Sequence, residues 1–102
     1  MLKGKMKHSD FANHEGIIEP GDLEWMSAGR GIMHSEMPAD NEFTYGLQLW
    51  INLAKEHKMM EPEYQELKKK DVPIVSNKGV TVKIIAGESM NTKVSYKILL
   101  KS

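Results

Sequence analysis

Two turns divide residues 19–38 into short segments, and this division restricts the fold more than any other feature of the chain. Residues 20–22 (Pro-Gly-Asp) form a tight-turn sequence, because proline presets φ, glycine accepts a positive φ and aspartate hydrogen-bonds its local backbone. Residues 29–31 (Gly-Arg-Gly) turn the chain a second time. We interpret the segments that follow these turns, Leu23–Ser27 and residues 32–37, as β-strands.

The second of these strands carries an imidazole and a carboxylate two positions apart. Side chains at positions i and i+2 of a strand point to the same face, so His34 and Glu36 could ligate one metal ion. The imidazole suits first-row transition metals, and the carboxylate adds a harder donor. The alternative is that Met33 and Met37 form the buried face and the polar pair faces solvent. The strand by itself does not decide between these two arrangements.

Three further segments, residues 45–53, 80–86 and 94–100, alternate apolar and polar side chains with a period of two. One apolar face on each segment indicates antiparallel strands packed on a core. Residues 61–70 are the one helix candidate, with Pro62 near the first turn, acidic residues early and lysines late. We therefore expect an all-β chain with one short helix.

The composition narrows the classes of function. A chain of 102 residues has room for one domain with a modest core. Its 14 basic and 14 acidic residues cancel, so no electrostatic signature of nucleic-acid binding is present. The absence of cysteine excludes disulfides, thiolate metal sites and cysteine nucleophiles. No apolar run is long enough to span a membrane and no signal-peptide pattern is present, so we expect a cytoplasmic protein without membrane contact.

Three blocks of the sequence resemble, in the same order, blocks of the pirin family of cupin proteins. They are residues 19–38, residues 45–53 (Tyr-Gly-Leu-Gln-Leu-Trp-Ile-Asn-Leu) and residues 61–67 (Glu-Pro-Glu-Tyr-Gln-Glu-Leu). The similarity extends over roughly residues 2–88. It implies that residues 1–102 form a single partial cupin domain, a jelly-roll-like β-barrel or sandwich.

The resemblance also implies a metal site. Pirins are similar to bicupins, and their N-terminal barrel holds one iron-type metal through three histidines and one glutamate. His34 and Glu36 match two of these ligands, while the segment that carries the other two has no counterpart here. His8 and His14 match no family ligand. We therefore expect a half-site for iron or another divalent transition metal, which binds the ion weakly or not at all.

Three functions are compatible with this pattern. The chain could be a metal-dependent oxygenase similar to quercetin dioxygenases, a binding or regulatory module with a protein partner, or the truncated product of a longer gene. We rank the two non-catalytic functions above the oxygenase, because two protein ligands hold a metal far less tightly than four. The oxygenase alternative requires that oligomerisation complete the site.

The missing strands of the barrel predict self-association. A partial barrel leaves unpaired strand edges and an uncovered apolar face, and both favour pairing with another chain. We therefore expect a homodimer that forms through exposed strand edges. His8 and His14 of a second copy are the upstream histidines that could join His34 and Glu36 at an intermolecular metal site.

Overall fold

The structure, a computed structural model, describes residues 1–94. Within these residues nine strands follow one another: β1 (Met6–Asp10), β2 (Glu15–Ile18), β3 (Leu23–Ser27), β4 (His34–Pro38), β5 (Glu63–Leu67), β6 (Ile74–Asn77), β7 (Val80–Lys83), β8 (Glu88–Ser89) and β9 (Thr92–Lys93). Two single 3-10 turns, at Lys55–His57 and Lys69–Asp71, are the helical elements of this part of the chain. The prediction of an all-β fold is confirmed. Within residues 1–94, no helix has the length and apolar character needed to cross a bilayer.

The strands form two facing sheets and two hairpins. The first sheet has the order β2-β1-β4 and the second pairs β3 with β5, with every neighbouring pair antiparallel. The side chain of His8, on β1, contacts Glu24 of β3 and Glu66 of β5, so these two sheets face each other. The hairpins β6-β7 and β8-β9 follow later in the chain.

The first predicted turn forms as expected. Gly21 has a φ of 90°, and the Glu19 N–H donates to the Asp22 carboxylate at 3.1 Å. The second turn also forms, with Gly29 and Gly31 at φ values of 55° and 125°. Together the turns position β3 and β4, and they confirm the two strands predicted between residues 23 and 37.

The helix predicted at residues 61–70 is wrong. Its central residues form β5, which pairs with β3 in the register Leu23↔Leu67, and a 3-10 turn at Lys69–Asp71 follows. Backbone pairing with β3 and burial of Leu67, which is 6% exposed, outweigh the charge pattern that favoured a helix. A local charge preference contributes only a few tenths of a kcal/mol, which is less than a complete strand pairing provides.

The strand predicted at residues 45–53 is also wrong. Only Tyr45 pairs, in an isolated bridge to Lys3, and residues 46–54 contain no strand. Leu47 and Leu49 of the expected buried face are 78% and 75% exposed. An alternating sequence forms a strand only where a neighbouring strand accepts its backbone groups, and the described residues provide none here.

The remaining strand predictions have mixed outcomes. The segment at residues 80–86 forms a strand over Val80–Lys83, after a turn at residues 78 and 79 that was expected. The strand then ends, and the next residue, Ile84, is 3% exposed. The strand predicted at residues 94–100 lies, apart from Val94, outside the described residues.

The apolar core is small. Its buried members among residues 1–94 are Ile18, Leu67, Val72 and Ile84. Polar side chains share the interior, because His8, Asp22 and Ser27 are each less than 9% exposed. The interior therefore contains hydrogen-bonding groups beside the apolar ones.

Candidate metal centre

His34 and Glu36 lie on the same face of β4, as the spacing predicted. The Nε2 atom of His34 and the Oε1 atom of Glu36 are 4.0 Å apart, and their side chains are 32% and 31% exposed. Met33 and Met37, on the opposite face, are 76% and 62% exposed. These methionines therefore do not form a buried face. The polar pair lies on the more enclosed side of the strand, although His34 and Glu36 are themselves exposed residues.

The separation of the two donor atoms lies near the upper limit for a shared metal ion. Imidazole nitrogen and carboxylate oxygen bind zinc-type ions at about 2.0–2.2 Å, so two donors on one ion lie at most about 4.2 Å apart. The observed 4.0 Å falls just within this limit. At this separation the two donors would lie nearly opposite each other on the ion, so a tetrahedral ion would require the Glu36 carboxylate to move closer to His34.

In the described part of the chain, no third donor joins the pair. Among residues 1–94, no three His, Asp or Glu side chains are grouped so that they could hold an ion. His8 is already bonded to Glu66, with 2.7 Å between Nε2 and Oε1. His14 is bonded to Asp10, with 2.7 Å between Nδ1 and Oδ2. The two donors fit a transition metal as a half-site, and they do not amount to a closed centre.

A polar cluster fills the space between the sheets behind this pair. Nδ1 of His8 lies 3.5 Å from Glu24, while the opposite ring nitrogen donates to Glu66. The rings of His8 and Tyr64 are stacked, with their centroids 6.2 Å apart. Cross-strand pairing places His8 beside Glu36, so the cluster borders the candidate metal donors.

Burial and neighbouring charges alter the ionisation of this cluster. Burial raises the pKa of Glu24; the nearby His8 opposes this rise, and the carboxylates of Glu66 and Glu36 add to it. Burial also raises the pKa of Tyr64, and its hydrogen bond to Asp10 strengthens the effect. The interior therefore favours the neutral forms of Glu24 and Tyr64. It contains few groups that would stabilise an additional negative charge.

Two side chains from the segment after β4 reach toward the pair. The Gln48 amide donates to Oε2 of Glu36 at 3.4 Å, and the Trp50 indole N–H donates to the Gln48 carbonyl oxygen at the same distance. Both distances are near the limit for a hydrogen bond, so these contacts orient Glu36 only weakly. Trp50 itself is 82% exposed.

Arg30, in the turn before β4, has a structural contact. Arg30 forms an exposed ion pair with Glu61, with 2.9 Å between the charged atoms. The cluster of His8, Glu24 and Glu66 was missed, because these residues are far apart in sequence and match no metal or catalytic spacing. Only the pairing of β1 with β4 and of β3 with β5 brings them together.

Comparison with known proteins agrees with this fold. The Pirin family model matches residues 1–51. Over 90 residues the chain is 54% identical to pirin of Homo sapiens, a match that covers 88% of this chain and 31% of the human protein. Over 93 residues it is 57% identical to a pirin-like protein of Solanum lycopersicum, covering 91% of this chain and 32% of the tomato protein.

Solved structures show the same architecture. The protein GK1651 of Geobacillus kaustophilus superposes with a TM-score of 0.84 at 39% identity, covering 96% of this chain and 39% of that protein. A quercetin 2,3-dioxygenase of Acinetobacter baumannii superposes with a TM-score of 0.79 at 28% identity, covering 95% of this chain and 36% of the dioxygenase.

The chain thus spans about a third of the length of the relatives it matches. The expected cupin fold is confirmed by these superpositions, and the expected family by the sequence matches. The chain belongs to the pirin family of cupin proteins.

Proposed function

We propose that this chain is a pirin-like binding module that carries half of a divalent transition-metal site, formed by His34 and Glu36. The observation that supports this proposal is the 4.0 Å separation of an imidazole nitrogen and a carboxylate oxygen on one strand face. The two side chains are partly shielded from solvent. They would therefore lose fewer contacts with water when they bind an ion than fully exposed donors would. Iron, zinc or a similar ion is the class of ligand that this donor pair selects.

Metal titration tests the proposal directly. We expect the purified chain to bind Zn²⁺ weakly in calorimetry, with complete release to a chelator. His34→Ala and Glu36→Ala should each abolish this binding, because one remaining donor cannot hold the ion. His57→Ala is the matched control, since His57 lies on the 3-10 turn at Lys55–His57 and should leave the titration unchanged. Binding that persists in both donor variants would contradict the proposal.

An oxygenase function is the second candidate, supported by the structural likeness to a quercetin 2,3-dioxygenase. Oxygenase chemistry needs a firmly held redox metal in a shaped, largely dry cavity. Here the donors are about a third exposed and no third donor is in reach among the described side chains. We therefore favour a binding role over catalysis.

Oxygen uptake separates the two functions. With quercetin and added ferrous ion, we expect no consumption above that of the same iron solution without protein. Turnover that saturates with quercetin and disappears in Glu36→Ala would instead establish the oxygenase.

A further inference from the structure

We draw no further inference here: the strongest candidate, the side-chain cluster of His8, Glu24 and Glu66 between the two facing sheets, borders the candidate metal donors on β4 and therefore belongs to the site already described.

Discussion

The side chain of Asp22 joins two backbone segments that are far apart in the sequence. It is 7% exposed, and its carboxylate accepts hydrogen bonds from the backbone N–H groups of Lys69 at 2.7 Å and Glu19 at 3.1 Å. The Lys68 ammonium lies 3.5 Å away. Burial disfavours the ionised carboxylate, but these donors and the lysine outweigh burial and hold the pKa of Asp22 below its usual value.

Replacing this carboxylate should destabilise the fold in a pH-dependent manner. Asp22→Ala leaves two N–H groups without their acceptor, so we expect a loss of about 2–3 kcal/mol in the free energy of unfolding at pH 7. Because the folded pKa is depressed, the stabilising effect is complete above the unfolded pKa and is lost as pH falls through the folded pKa. Urea titrations from pH 7 to about pH 3 should therefore show the difference from the parent chain shrinking with acid.

An exposed aspartate provides the control for this experiment. Asp40 also accepts one backbone hydrogen bond, from the Glu42 N–H at 2.9 Å, but it is exposed. We expect Asp40→Ala to change the unfolding free energy by less than about 1 kcal/mol. Equal losses in the two variants, or a loss at Asp22 that is constant with pH, would contradict this account.

At the scale of elements, the turn before β4 determines where His34 and Glu36, the candidate metal donors, lie. Gly29 adopts a φ of 55°, and a Cβ atom at this position would collide with the carbonyl group of Met60. The next residue, Arg30, donates its N–H to the same carbonyl at 2.9 Å. The turn is therefore fixed against the segment that leads into β5, and β4 begins from that fixed point.

A pair of glycine substitutions separates the collision from the backbone strain. Gly79, in the β6-β7 turn, also has a positive φ of 80°, but a Cβ atom there would meet open space. We expect Gly79→Ala to cost about 1–2 kcal/mol from φ alone, and Gly29→Ala to cost about 1–3 kcal/mol more. Thermal unfolding of both variants measures the difference. Equal losses would show that the contact with Met60 does not constrain the turn.

At the scale of the whole molecule, the main feature is a small apolar core beside a large exposed apolar surface. The buried apolar side chains of the described residues number four, while Leu47, Leu49 and Trp50 are each at least 75% exposed. A chain with this distribution depends strongly on each core residue. Residues 46–54, which carry these exposed side chains, favour association with other apolar surfaces.

Two leucine substitutions compare the contributions of a buried and an exposed side chain to the free energy of unfolding. Leu67→Ala removes a side chain that is 6% exposed, and we expect a loss of about 2–5 kcal/mol, sufficient to unfold much of a marginally stable domain. Leu49→Ala removes one that is 75% exposed, and we expect a change within about 0.5 kcal/mol. Denaturant unfolding of both variants at one protein concentration provides the comparison. A large loss of unfolding free energy in Leu49→Ala would show that residues 46–54 are covered in solution.

The sequence alone determined the features that depend on neighbouring residues. Turn residues at positions 20–22 and 29–31 specify backbone angles locally, so β3 and β4 were predicted close to their observed bounds. The i, i+2 spacing of His34 and Glu36 required only that the segment be a strand, and both side chains share one face. The family was recognisable for the same reason, because its motifs are continuous in the chain.

The tertiary structure decided what depends on distant partners. Residues 63–67 form a strand because they pair with β3, and residues 46–54 form none because they pair with no strand of the described chain. His8, Glu24 and Glu66 form one cluster only after β1 and the β3-β5 sheet face each other. Periodicity and charge report how a segment can pair or pack, whereas the free energy that selects among these possibilities comes from contacts between residues far apart in the sequence.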